Sequence, residues 1–241
     1  MGRKKLTEKD FLKGMAWFRA VSVQAGNASA YALEKRFDPL SFLQRDGKLQ
    51  RSKKWDRYRD GKRLPTDLTS DDIVARVEGE LPGTAKWLRS PLWAAIDGQV
   101  GNSYIIATLL RSLADVQGLL FSHQMRDGHS QWIRLPADET LLNGLLGIKS
   151  IDSLAAIILM AREAEVIASP ELREYALHAY LEYQAVVRSM PELFDIADRI
   201  FWHIDTNVKH WAMVNLNRRL EVVVFSNSIK DASALHLSPH D

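Results

Sequence analysis

Apolar residues recur at spacings of three and four along most of this chain, and that period restricts it to a fold dominated by helices. Thr7 stands where an N-cap would, with Asp10 three residues on, and Phe11, Leu12, Met15, Phe18 and Val21 then form one apolar face. A second helix is expected from about Ser29 to Phe37, stopping before Asp38-Pro39. Leu40 to Gln50 has no clear period and holds an Asp46-Gly47 turn. Ser52 to Arg59 reads as a short helix, closed by Gly61 and Pro65. Thr69 or Ser70 is expected to cap a helix from Asp71 to Glu78, with Asp71 and Asp72 complementing its dipole. Leu81-Pro82-Gly83-Thr84 reads as a turn and a cap, and Trp87, Leu92 and Trp93 as core anchors.

The second half carries the same signature. One helix is expected from Ser103 to Leu120, a polar loop from Gln124 to Ser130, a brief strand at Trp132-Ile133-Arg134-Leu135 and a short helix from Asp138 to Leu146. Ser150 to Ala168 is apolar enough to lie at the centre of a bundle. Ser169-Pro170-Glu171 combines a cap, a first-turn proline and an acid, so a helix should start there and reach about Ser189. Pro191-Glu192 is expected to open another, running to about Arg219, and Val222 to Phe225 is strand-like. Tyr175, Tyr180, Tyr183, Phe194, Phe201, Trp202 and Trp211 are candidate anchors, most of them for the core. The fold class is therefore mostly α: a basic, helix-turn-helix-like N-terminal region followed by a helical-bundle body. Asp97-Gly98-Gln99-Val100-Gly101-Asn102 marks the expected boundary, giving regions 1–97 and 103–227 and a flexible tail, 228–241.

Composition bounds the chemistry. At 241 residues and 46% hydrophobic, the chain is long enough to bury one large core or two small ones. It has no cysteine, which excludes disulfides, thiolate metal sites and cysteine nucleophiles. No apolar stretch follows the basic start, so no secretory signal is expected. Leu154 to Ala161, the most apolar run, is too short to span a bilayer. A cytoplasmic, non-membrane protein is the resulting expectation.

The charge is strongly polarised. Residues 1–65 hold 17 Lys/Arg against 7 Asp/Glu, whereas 66–241 hold 15 against 23, so a net charge of only +2 conceals a basic head on an acidic body. Between Lys48 and Arg63 eight basic residues face two acids. Lys48, Arg51, Lys53, Lys54, Arg57, Arg59, Lys62 and Arg63 are accordingly the candidate nucleic-acid-binding residues, with DNA favoured over RNA.

They crowd around Trp55-x-x-Tyr58-x-x-Gly61-x-x-x-Pro65. Over residues 52–80 this pattern resembles the segment after the recognition helix of Cro/CI-type (XRE-like) helix-turn-helix repressors, which often reads Tyr-Glu-x-Gly-x-x-x-Pro before the next helix. The chain departs from it in having Arg59 where the family has Glu, and in Asp38-Pro39 and Asp46-Gly47 upstream. The resemblance implies a helix bearing Lys53, Lys54 and Arg57 against DNA, with Arg59, Lys62 and Arg63 near phosphates. Trp55 and Tyr58, three apart, would pack inward.

No pattern names a catalytic reaction or a cofactor. Walker A, Gly-x-Gly-x-x-Gly and Gly-x-Ser-x-Gly signatures are missing from the sequence. His178, His203, Asp205 and His210 would form a metal or acid–base cluster only by converging in space, since His203 and His210 lack the spacing of a zinc helix. Acid pairs such as Asp71-Asp72 and Glu171-Glu174 fit capping and solubility. The sequence thus points to a DNA-binding protein, either a transcriptional regulator or a DNA-binding subunit of a mobile-element or phage-defence system. Its helical body would serve a homodimer or a protein partner. The alternative is a scaffold whose basic head binds an acidic partner or RNA.

Overall fold

A computed structural model describes residues 6–45, 48–97, 100–126 and 129–208. It is mostly helical, with two separate two-stranded hairpins among the described residues. The chain forms two units. One runs to Trp93 and takes in Arg188–Ile196; the other begins at Ala94, runs to Val187 and resumes at Ala197.

In the first unit, α1 (Glu8–Gln24) starts with the expected capping box, Thr7 and Asp10 each accepting from the other's backbone amide. It buries Leu12, Gly14, Ala16, Trp17, Phe18, Ala20 and Val21. Ser29 caps α2 (Ala30–Phe37), whose buried face is Ala30, Leu33, Glu34 and Phe37. A 3-10 turn (Pro39–Ser41) leads into a hairpin of β1 (Phe42–Arg45) and β2 (Lys48–Arg51), in the register Phe42 opposite Arg51 and Arg45 opposite Lys48. The stretch without a clear period is thus largely a hairpin.

After it come α3 (Lys54–Arg59), α4 (Ile73–Glu80), α5 (Ala85–Arg89) and α6 (Leu92–Ile96), the last of which crosses the division at Trp93. The cap of α4 falls on Asp72 rather than on Thr69 or Ser70. The Asp72 carboxylate accepts the Leu68 and Thr69 amides, which places the helix start beyond it. Trp87, Leu92 and Trp93 are buried, and the Trp93 indole donates to the Trp87 carbonyl at 2.9 Å.

The second unit is organised by α10 (Ile151–Val166). Every residue from Ile151 to Arg162 is buried, so this helix needs no polar face. Buried faces also belong to α7 (Ser103–Arg111), which packs against it, to α8 (Gln117–Leu120), α9 (Glu139–Gly147) and α12 (Ala197–Asn207), and to α11 (Pro170–Ser189) through Val187. Arg162, 4% exposed, donates to the carbonyls of Ala95 (2.9 Å), Ile96 (3.1 Å) and Asn207 (3.4 Å), satisfying two helix ends with one guanidinium.

Three expectations change here. The helix expected from Ser103 to Leu120 is broken between Arg111 and Gln117, where the Asp115 amide is drawn to the Asp152 carboxylate. The polar segment Gln124 to Ser130 lies mostly in a hairpin, β3 (Phe121–Arg126) with β4 (His129–Arg134), which also absorbs most of the expected strand at Trp132. His123 and Trp132 are cross-strand partners with ring centroids 4.8 Å apart, and such pairs stabilise a sheet that period alone does not announce. Pro191 is followed by a 3-10 turn (Phe194–Ile196) before α12, so helix begins later than expected. The continuation to Arg219, the strand at Val222 to Phe225, Trp211 and the tail 228–241 lie outside the described residues.

Candidate nucleic-acid interface

The basic segment is held by an aromatic cluster. Trp55 and Tyr58, both 0% exposed, sit with Trp17 in a near-equilateral triangle of ring centroids: 5.6 Å, 5.7 Å and 5.7 Å. Phe37 stacks on Trp55 at 5.8 Å, and Phe18 meets its edge at 6.4 Å. Burial pushes the Tyr58 hydroxyl far above its ordinary pKa, so the group stays neutral. At the exit, Gly61 takes φ +69°, and a Cβ there would lie 3.1 Å from the Phe11 carbonyl oxygen and 3.2 Å from the Met15 side chain. Glycine is required twice over, by backbone conformation and by close approach to α1. Pro65 is buried beyond it. The Trp-x-x-Tyr-x-x-Gly-x-x-x-Pro pattern therefore seats α3 on α1.

Beneath the basic surface lies a fully buried carboxylate. Glu34 accepts from the Ser41 hydroxyl (3.2 Å), the Ser52 hydroxyl and the Lys54 amide (3.2 Å), and pairs with Arg51 Nε at 3.1 Å. It fastens both ends of the hairpin segment to α2. Arg51 also pairs with Asp56 and stands 5.3 Å above the Tyr31 ring. Sequence reasoning passed over Glu34, although Ala30, Leu33, Glu34 and Phe37 fall at i, i+3, i+4 and i+7, which places this acid inside the apolar stripe.

The eight basic candidates divide accordingly. Arg51 is consumed by Glu34 and Asp56. Lys54 reaches Asp38 at 3.0 Å. Arg59 pairs with Asp56 (3.4 Å) and Asp60 (3.0 Å), and Lys62 with Asp60 (3.2 Å). Burial would raise the Asp60 carboxyl, but hydrogen bonds from Arg59 and Lys62 outweigh it and hold the group below the ordinary aspartate range. Lys48 opens β2, and only its backbone is described.

Lys53, Arg57 and Arg63 remain. Lys53 and Arg57 are exposed, Arg63 is half-buried, and none makes an ion pair among the described residues. They adjoin one another: the Arg57 amide donates to the Lys53 carbonyl at 3.2 Å, and the Arg63 amide to the Arg57 carbonyl at 3.2 Å. Lys53 also holds a left-handed conformation, φ 53° and ψ 28°, at the start of α3. That conformation disfavours a residue with a Cβ by about 1–2 kcal/mol. Upstream, α2 and α3 are joined by Asp38 to Lys53, with the 3-10 turn and hairpin between them, in place of the three- or four-residue turn of a simple helix-turn-helix.

The histidine candidates do not converge among the described residues. His178 is exposed on α11. His203 lies 3.5 Å from Asp97, while Asp205 accepts from the Tyr180 hydroxyl at 3.1 Å. His210 lies outside the described residues. No group of three or more His, Asp or Glu among the described residues is placed to hold a metal ion. An open cleft of about 340 Å³ in the second unit is lined by Arg134, Glu163, Ser169, Glu171 and Tyr175. Its guanidinium is already engaged by the Leu120 carbonyl (3.1 Å) and Glu163 (3.5 Å). Among the described residues no helix is long and apolar enough to cross a membrane.

Comparison of the chain with protein-family models, with curated protein sequences and with solved structures gives no match.

Proposed function

We propose that this chain is a DNA-binding protein that engages its target through the first unit, as a transcriptional regulator or as the DNA-binding subunit of a mobile-element or defence system. One observation carries the reading: Lys53, Arg57 and Arg63 adjoin through the backbone and make no ion pair among the described residues, whereas Arg51, Lys54, Arg59 and Lys62 around them are each paired. Like charges four residues apart, as Lys53 and Arg57 are, repel at a cost of a few tenths of a kcal/mol, and a phosphate strand would relieve that repulsion. The left-handed Lys53 adds to the case, because unfavourable backbone conformations collect at functional positions. The Tyr58-Gly61-Pro65 spacing fits the resemblance to Cro/CI-type repressors, and Arg57 of α3 is exposed beside it.

The test is fluorescence anisotropy of the full chain with a labelled duplex at low salt. The wild type should bind, and affinity should fall steeply as salt rises. The K53A/R57A/R63A variant should lose most of the binding while keeping its helical circular dichroism. A wild type that ignores duplex DNA at low salt defeats the proposal.

A further inference from the structure

We infer that the α3 segment holds duplex DNA by its phosphate backbone and does not discriminate base sequence, an inference that rests on the DNA-binding reading above and favours the DNA-binding subunit over the transcriptional regulator. The reason is what α3 has left to offer. It is six residues long, roughly 9 Å of helix, and two of the six, Trp55 and Tyr58, face wholly into the core. Lys54 is turned to Asp38, Asp56 is occupied by Arg51 and Arg59, and Arg59 is also held by Asp60. Arg57 is the one α3 side chain that is both exposed and without an ion pair among the described residues. Base reading by a helix in the major groove draws on three or four side chains that reach base edges. Asn and Gln, which pair with adenine, and Ser and Thr, which serve either base, do not occur anywhere from Lys53 to Arg63.

Arg57 taken alone could address a guanine, but every mixed-sequence duplex contains guanines, so a single such contact selects no site. Lys53 and Arg63 are tied to it through the backbone, each by one hydrogen bond of 3.2 Å, so the three cations belong to one short stretch of surface. Phosphates recur along a strand whatever its sequence, so cations that meet them carry no base preference. Asp60, bound by Arg59 and Lys62, further withdraws hydrogen-bonding groups from any groove.

Three neutralised phosphates give a slope of log affinity on log salt of about −2.7, and each removed cation should flatten it by about 0.9. The experiment measures the full chain against several unrelated mixed-sequence duplexes, over a salt series, for the wild type and for K53A, R57A and R63A singly. It adds a binding selection from a randomised duplex pool. The inference expects dissociation constants within about threefold across the duplexes, an unenriched pool, and a slope that flattens by about 0.9 in each variant. A multi-base motif in the selected pool, or a tenfold preference among the duplexes, overturns it while leaving DNA binding intact. Unchanged slopes in all three variants, or tighter binding to single-stranded RNA than to any duplex, also overturn it. Absence of binding to every duplex at low salt is the distinct result that removes the underlying reading.

Discussion

The two units of this protein are built from different kinds of core. The first assembles its helices around large rings, Trp17, Trp55, Tyr58, Phe18 and Phe37, and ties its connections with buried or half-buried charge at Glu34, Arg51 and Asp56. The second is organised by a helix of 16 residues whose first three turns are buried all round, with Tyr180, Tyr183 and Phe201 among the unit's buried rings. Helices α2 and α3, of eight and six residues, present few inward positions, so each must carry much area, and Phe37, Trp55 and Tyr58 do that. The buried turns of α10 spread the same burden over many Leu, Ile and Ala. The price of the first solution is a network of ion pairs that uses up most nearby cations, which is why the three left over are conspicuous.

The largest effects should separate the two cores by mechanism. Trp55→Ala removes a ring shared by four aromatic neighbours and should destabilise by about 3–5 kcal/mol, with loss of duplex binding as α3 is unseated. Leu154→Ala, at a fully buried position of α10, should cost about 2–5 kcal/mol. Chemical denaturation measures both, and a Trp55→Ala loss under 1 kcal/mol would break the comparison.

Glycines come next. Gly26→Ala, at φ +74° with nothing within 4 Å of the new Cβ, should cost about 1–2 kcal/mol from backbone conformation alone. Gly61→Ala adds the collision with the Phe11 carbonyl and should cost clearly more. Equal losses in thermal melts would show that the seat of α3 on α1 is looser than described.

Each unit also holds an unfavourable left-handed residue, Lys53 in the first and Ala168 in the second. Replacing either by glycine should stabilise by about 1 kcal/mol. Only K53G should also weaken duplex binding, because only there does the side chain serve the proposed function. If A168G weakens binding equally, the contrast between the two positions is wrong.

The smallest effect is a pH dependence. Burial would raise Glu78, but the amides of Ala85 (2.6 Å) and Gly83 (2.7 Å) outweigh it and hold the carboxyl below its ordinary range. Asp10, Asp60 and Asp72, also of the first unit, are likewise lowered. A carboxylate with a depressed folded-state pKa contributes stability above its unfolded pKa and loses it as pH falls through the folded value. Melting temperature should therefore drop as pH falls below about 4.5, the ordinary glutamate value, and E78Q should show a shallower drop. Parallel curves for wild type and E78Q would remove Glu78 from this account.

Legibility followed the range of the interactions. Thr7 with Asp10, and Ser169 before Pro170, are visible because a cap is a contact three residues long. The apolar run from Ile151 announced a central helix because solvent-free surroundings leave no polar side to the pattern. The end of β4 was legible in the alternation at Trp132, but β3 and the pairing escaped because β3 is mostly polar and exposed, and because the Asp127-Gly128 dipeptide, a good hairpin signal, lies inside a stretch that reads as loop. In the candidate interface the aromatic spacing correctly turned Trp55 and Tyr58 inward.

Composition and period by themselves determined a mostly helical chain with a basic head, since both depend only on which residues are present and on their local spacing. Tertiary structure alone decided which cations of that head are spoken for. Lys54 and Arg51 are neutralised by Asp38 and Glu34, brought from 16 and 17 positions away, and Arg57 makes no ion pair among the described residues. Charge counts add every lysine and arginine alike, but a counter-ion acts over a few ångströms of space, and only the fold places it there.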